Sequence, residues 1–143
     1  MKQMSDNKPV FIQIKEWIEQ HILRGEWSKG HQLPSVRELS AEFGVNPNTI
    51  SRTYERLTME QTIYSVRGVG YFVSDQAKEL IETRRREEFR KETIPQFIAD
   101  MNLLGIDLEE FIKHYNKIWK QVRAFEEDPD QCLPFLKIED FDE

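Results

Sequence analysis

The first half of the chain places its apolar residues at the spacing of α-helices. Between Pro9 and Arg24 they fall on one helical stripe, and Gly25 ends the pattern. Two shorter helical patterns follow, one on each side of Gly44. The apolar positions of these three helices are Phe11, Ile14, Ile18 and Ile22, then Val36, Leu39 and Phe43, then Ile50, Tyr54 and Leu57. Each predicted helix therefore has one face that must pack against another element.

The two short patterns carry the start and stop signals of a helix-turn-helix. Ser35 and Glu38 have the spacing of a capping box, and Gly44 suits the left-handed residue that ends a helix. Asn46 is a favourable N-cap, and Pro47 fits the first helical position because its missing N–H would have no partner there.

The second of these helices has polar side chains opposite its apolar face. They are Asn48, Arg52 and Glu55, with Ser51 beside them. A recognition helix reads base edges in the major groove with such groups near its N-terminus. The alternative is an ordinary helical hairpin with a solvated polar face, so the flanking segments must decide.

A β-hairpin is predicted after Met59. Residues 63–66 and 71–73 are β-branched and aromatic, and the glycines between them supply the turn. Three helices followed by a hairpin form a winged helix, and Arg67 falls at the tip of the wing. Arginine at such a tip suits phosphate or a narrow minor groove.

Residues 9–74 resemble the N-terminal domain of the gluconate-repressor (GntR) family of bacterial transcription regulators. The resemblance rests on Pro9 with the amphipathic first helix, and on the segments 30–40, 43–57 and 67–73. The Asn-Pro-Asn-Thr sequence at 46–49 resembles the YtrA-type subfamily. The chain departs from many members at Ser51, where they carry arginine, and this promotes Arg52 as the contact.

The resemblance implies a set of DNA-contacting residues from three elements: the Leu-Pro-Ser-x-Arg-x-Leu motif, the recognition helix and the wing. The set is Arg37, Asn46, Asn48, Thr49, Ser51, Arg52, Arg67 and Gly68. It also implies a short two-helix region that dimerises the protein.

The second half of the chain is predicted to be helical over residues 76–104 and Leu108–Arg123, with a break near Thr93 caused by Pro95. The run Arg84-Arg85-Arg86 reads as a mixed, solvated face because Glu87 and Glu88 follow it. Two helices cannot bury both of their apolar faces in so short a region, so we expect a homodimer. Its predicted contacts are Phe97, Met101, Leu104, Phe111, Ile112, Tyr115 and Trp119.

The net charge of −6 is unevenly distributed. Residues 1–75 contain nine Lys or Arg and nine Asp or Glu, whereas residues 126–143 contain one and eight. We therefore predict a neutral DNA-binding domain (1–75), a helical dimerisation region (76–125) and an acidic tail (126–143). The single cysteine, Cys132, predicts no internal disulfide. The sequence also shows no signal peptide or membrane span, which is typical of a cytoplasmic protein.

We expect no enzymatic activity, cofactor or metal. His21, His31 and His114 are scattered, and no phosphate loop or nucleophile motif is visible. The expected fold is mainly α with a small β-hairpin wing, and the expected function is a sequence-specific transcription regulator. Its partners would be double-stranded DNA and a second copy, with a small-molecule effector still unidentified. The alternative is a winged helix that binds only protein.

Overall fold

The computed structural model describes the backbone of residues 8–127 and the side chains of residues 8–123. Residues 1–7, and the part of the predicted acidic tail beyond residue 127 with Cys132, lie outside the described residues. The elements are α1 (Val10–Leu23), α2 (Val36–Phe43), α3 (Pro47–Met59), β1 (Ile63–Val66), β2 (Gly70–Val73), α4 (Ala77–Glu88), a π-helical turn (Phe89–Thr93), α5 (Ile94–Leu104) and α6 (Leu108–Glu127).

Helix α2 begins and ends, and helix α3 begins, as their capping signals predict. The backbone N–H of Glu38 donates to Ser35 Oγ at 3.1 Å, and the Ser35 N–H donates to the Glu38 carboxylate at 3.3 Å. Gly44 ends α2 with a φ of 64°. Asn46 caps α3 by accepting the N–H of Asn48 at 2.8 Å. The predicted helix-turn-helix is confirmed.

One apolar core joins the first three helices, the wing and α4. It consists of Ile14, Ile18, Ile22, Leu33, Leu39, Phe43, Ile50, Tyr54, Leu57, Ile63, Val73, Ala77 and Ile81. The apolar positions that set the helical patterns are therefore the buried ones, except for Phe11 and Val36, which are half-buried. Burial of these faces orients α3 with its polar side outward.

A third segment of the chain pairs with the two predicted strands of the wing. Strands β1 and β2 pair antiparallel, with Ile63 opposite Val73. The segment before α2 then joins the other edge of β2, because Leu33 N–H donates to Tyr71 O and Val73 N–H donates to His31 O, both at 2.9 Å. No local pattern predicts this extra pairing, since it joins segments that are distant in sequence.

The chain forms two compact units, and the boundary along the sequence lies between Phe89 and Arg90. Helix α4 belongs to the first unit. The predicted boundary after residue 75 falls inside this unit because Ala77 and Ile81 pack in its core. The interpretation of the arginine run as solvated is wrong for two of its members. Arg84 and Arg85 both donate to the carboxylate of Glu19, whose side chain is only 1% exposed.

The second unit starts with the helical break that Pro95 predicts. The π-helical turn ends at Thr93, and Pro95 lies in the first turn of α5, where it needs no hydrogen bond. Asp107 caps α6 by accepting the N–H of Glu110 at 2.8 Å. Helix α6 continues through Glu127, past its predicted end at Arg123.

Candidate nucleic-acid interface

The predicted DNA-contacting residues lie on three elements of the first unit: the start of α2, the first turns of α3 and the tip of the wing. Six of them are exposed, namely Arg37, Asn46, Asn48, Arg52, Arg67 and Gly68. Thr49 and Ser51 are half-buried. All three predicted arginines are thus accessible to a polyanion.

The outward face of α3 follows from the residues that it buries. Ile50, Tyr54 and Leu57 are fully buried, so the opposite side of the helix faces solvent. Asn48 and Arg52 lie one helical turn apart on that side. A recognition helix needs such a polar row to meet base edges.

Asn46 has a structural role that limits what it can read. Its Oδ1 accepts the N–H of Asn48, which fixes the first turn of α3. The amide group still has its Nδ2 donor outside this cap. Asn46 therefore presents a donor, whereas Asn48 presents a whole exposed carboxamide.

Two side-chain hydrogen bonds that helical periodicity does not predict hold the helix-turn-helix in shape. Ser40 Oγ donates to Val45 O at 2.6 Å and closes the turn between α2 and α3. The Tyr54 hydroxyl donates to Pro34 O at 2.5 Å and ties α3 to the segment before α2. Burial, with the nearby charge of Glu38, raises the pKa of Tyr54 far above its usual value, so the hydroxyl remains a donor.

The wing tip is a tight turn with a glycine at its apex. Val69 N–H donates to Val66 O at 3.0 Å, and Gly68 has a φ of 76° that side chains rarely adopt. Gln32 supports the turn by donating from Nε2 to Val69 O at 3.2 Å. Arg67 therefore projects from a narrow tip that is braced against the body of the domain.

Arg52 contacts a side chain of another helix, Phe11 of α1. Its guanidinium carbon lies 4.2 Å from the centre of the Phe11 ring, in the first turn of α1. Phe11 was predicted only as part of an apolar stripe. Helical periodicity marks it as apolar but carries no signal for a partner on another helix.

Metal binding and membrane insertion would point to other classes of function. Over the described residues, no cluster of three or more His, Cys, Asp or Glu side chains is arranged to hold a metal ion. None of the described helices combines the length and apolarity needed to cross a membrane.

The helix-turn-helix, the exposed polar row of α3 and the braced wing define a winged-helix DNA-binding protein. The family described as "Bacterial regulatory proteins, gntR family" matches residues 12–73. The chain belongs to this family of transcription regulators, since its similarity to two members extends well past that domain.

The similarity to known regulators extends over most of the chain. The chain is 33% identical over 111 residues to the uncharacterized HTH-type transcriptional regulator YhcF of Bacillus subtilis, which covers 78% of this chain and 90% of that protein. It is also 33% identical to the HTH-type transcriptional repressor YtrA of the same organism, over 81% of this chain and 88% of that protein. The predicted resemblance to the YtrA-type subfamily is confirmed.

Solved structures agree with this assignment. A GntR family transcriptional regulator from Listeria monocytogenes matches 80% of this chain and 98% of its own, with a TM-score of 0.66 and 35% identity. A putative transcriptional regulator of the GntR family from Bacteroides thetaiotaomicron matches 79% of this chain and 98% of its own, with a TM-score of 0.61 and 37% identity. The predicted fold, mainly α with a hairpin wing, is confirmed.

Proposed function

We propose that this regulator is a repressor that binds a palindromic operator as a homodimer and blocks transcription there. The observation that carries the proposal is the exposure of Arg37, Arg52 and Arg67 on three separate elements of one winged helix. Together with the polar row of α3, they can engage the backbone on both sides of a groove while α3 reads the bases.

We assign roles by position and chemistry. Asn48 and Thr49, at the start of α3, read base edges in the major groove, and the Nδ2 of Asn46 adds a donor beside them. Arg37 and Arg52 bind phosphate or guanine. Arg67 enters the minor groove, and Gly68 keeps the tip narrow. Ser51 is half-buried and borders this surface.

The homodimer is supported by the apolar surface of the second unit. The described part of this unit contains no buried residue, yet Leu103, Leu104 and Leu108 are 81%, 71% and 67% exposed. Phe97 and Phe111 contact each other at 5.2 Å between ring centres, so α5 and α6 already pack together. The remaining apolar surface needs a second chain.

The predicted dimer contacts divide into two groups by exposure. Phe97, Leu104, Ile112, Tyr115 and Trp119 are exposed, while Met101 and Phe111 are half-buried. The exposed group is available to a partner chain. Pairing two neutral DNA-binding domains doubles the phosphate contacts, and their half-sites would lie about 10 bp apart or a multiple of it.

We propose further that the protein acts in the cytoplasm, where the bacterial chromosome lies, and has no enzymatic activity. Both follow from the role of the family as transcription regulators. A winged helix used only for protein interaction remains the competing function, and DNA binding separates the two.

The test is footprinting of the full-length protein on fragments of its source genome at two salt concentrations. We expect a palindromic site whose affinity falls steeply with salt, because bound phosphates release counterions. Arg37→Ala should weaken binding by about 1–3 kcal/mol and lower the salt slope by about 1. Lys78→Ala is the matched control, because Lys78 is an exposed cation on α4. Absence of any protected site would overturn the proposal.

A further inference from the structure

The contact between Phe11 and Arg52 joins two helices at the edge of the candidate interface. Phe11 lies in the first turn of α1 and is half-buried, whereas Arg52 lies on the outward side of α3 and is exposed. The guanidinium carbon is 4.2 Å from the ring centre, which is within the range of a cation–π contact.

The ring is held in place by the packing of α1 on α3. One turn after Phe11, Ile14 is fully buried in the core. Thr53, next to Arg52, donates from Oγ1 to Thr49 O at 2.8 Å and also approaches Phe11 O at 3.4 Å. The aromatic surface under Arg52 is therefore part of the fold of the domain.

The exposure of Arg52 leaves its guanidinium accessible to a ligand although it lies over the Phe11 ring. A cation–π contact does not use the N–H donors of a guanidinium that stacks flat on a ring, because these donors lie in its plane. Within residues 8–123, Arg52 forms no salt bridge with a carboxylate. Among these residues, the charge of Arg52 is thus held beside Phe11 without a carboxylate partner.

Pre-placement of this side chain favours binding. A free arginine has many rotamers, and ordering one of them on complex formation costs entropy. A stacked guanidinium has lost part of that freedom before DNA arrives, and it is weakly enough hydrated to remain on an apolar ring.

We propose that Phe11 is a positioning residue for operator binding, because its ring holds the guanidinium of Arg52 beside α1, on the exposed side of α3 that would face DNA. This inference rests on the proposed contact of Arg52 with DNA. It assigns a binding role to a residue of the first helix that itself need not touch the nucleic acid.

The test is a double-mutant cycle on the full-length protein. Phe11→Leu keeps an apolar side chain but removes the ring, and Phe11→Tyr keeps the ring. Two more variants complete the cycle: Arg52→Ala and the double variant Phe11→Leu/Arg52→Ala. Each variant is titrated against a DNA duplex that the wild-type protein has selected from a random-sequence pool. Fluorescence anisotropy gives the Kd, and thermal unfolding shows whether each variant is folded.

We expect Arg52→Ala to weaken binding about 10-fold and to lower the salt slope by about 1. Phe11→Leu should weaken binding about 3-fold with an unchanged salt slope, because the cation is still present. Phe11→Leu should cause no further loss when Arg52 is already alanine, and Phe11→Tyr should bind like the wild type.

Arg56→Ala is the matched control for the cycle. Arg56 is an exposed arginine one turn along α3, and its Nε donates to Glu60 at 3.2 Å instead of lying on a ring. The effects of Phe11→Leu and Arg56→Ala should simply add.

The outcomes separate the two levels of the proposal. If Phe11→Leu weakens the wild type and Arg52→Ala equally, or leaves the wild type unchanged, the positioning role is overturned while the DNA-binding function stands. If Arg52→Ala binds as tightly as the wild type, Arg52 is not a DNA contact and the positioning role fails with it. If no duplex is selected at all, the proposed function itself fails.

Discussion

The guanidinium of Arg84 donates to the carboxylate of Glu60 at 3.0 Å and thereby joins α4 to the C-terminal end of α3. The same guanidinium also binds Glu19 of α1, whose carboxylate is almost fully buried. Lys15 completes the group with a contact to Glu60 at 2.8 Å. This ionic group fixes the C-terminal end of α3 relative to both α1 and α4.

Removal of the cations around Glu19 should destabilise the first unit. Arg85 also binds Glu19, at 3.1 Å, so Arg84→Ala alone leaves one partner. The double variant Arg84→Ala/Arg85→Ala leaves a buried, unpaired carboxylate and should lower the free energy of unfolding by about 3–5 kcal/mol. Urea unfolding followed by circular dichroism measures this loss.

Arg86→Ala is the control for that experiment, because Arg86 is exposed in the same run. Its effect should stay within about 0.5 kcal/mol. Similar losses in the double variant and the control would contradict the role of the buried ionic group.

The ionic group also predicts a dependence of stability on pH. Burial by itself would raise the pKa of Glu60, but the hydrogen bond and charge of Lys15, with the charge of Arg84, lower it below the ordinary value. A carboxyl group with a lowered pKa stabilises the folded state above its unfolded pKa. That contribution is lost as the pH falls through the folded pKa.

Comparison of the wild type with Glu60→Gln tests this dependence. The difference in their free energies of unfolding should be largest near neutral pH and should shrink as the pH falls through the lowered pKa of Glu60. Urea unfolding at a series of pH values measures it. A difference that stays constant with pH would show that the charge of Glu60 does not contribute.

Gly68 at the wing tip should matter for DNA binding beyond its effect on stability. Its φ is 76° and a Cβ there would meet no atom within 4 Å, so Gly68→Ala should cost about 1 kcal/mol through backbone strain alone. We expect it also to weaken operator binding, because the tip becomes wider or changes its turn. Thermal unfolding and anisotropy titration measure the two effects.

Gly25 provides a matched control, since its φ is 78° and its surroundings are equally open. Gly25→Ala should cost similar stability, because the same strain arises at the end of α1. Operator affinity should nevertheless remain that of the wild type. Equal loss of affinity in both variants would show that the wing tip makes no contact of its own.

A charge on the apolar surface of the second unit should separate the proposed dimer. Leu104 is 71% exposed, and Leu104→Asp would place a carboxylate in the interface, where its desolvation is unfavourable. Sedimentation velocity should then show a monomer at concentrations where the wild type is a dimer. Met59→Asp is the control, because Met59 is 76% exposed on the first unit. If the Leu104→Asp variant remained a dimer, the dimer interface would not include Leu104.

Local features of the fold could be predicted because their causes lie within a few residues of each other. The capping box of Ser35 and Glu38, the left-handed Gly44 and the break at Pro95 each depend on neighbours along the chain. The wing was also predictable from its strand-forming residues and its glycines. The position of the three arginines on exposed surfaces followed once these elements were known.

Contacts between distant segments could not be predicted in the same way. Arg84 was predicted to lie on a solvated face because Glu87 and Glu88 follow the arginine run, yet its buried partner Glu19 is 65 residues away in sequence. Two other contacts were not predicted because their partners are also far apart in sequence. They are the strand pairing of His31 and Leu33 with β2, and the contact of the Phe11 ring with Arg52.

The sequence by itself determined the helices, the wing and the family. Capping, helical periodicity and turn formation depend on residues close together in the chain, so each produces a pattern that is visible in the sequence. Tertiary structure alone decided which charges are buried, where the first unit ends and which ring supports Arg52. These properties depend on how α1, α3 and α4 pack together. Packing brings side chains into contact without regard to their separation along the chain.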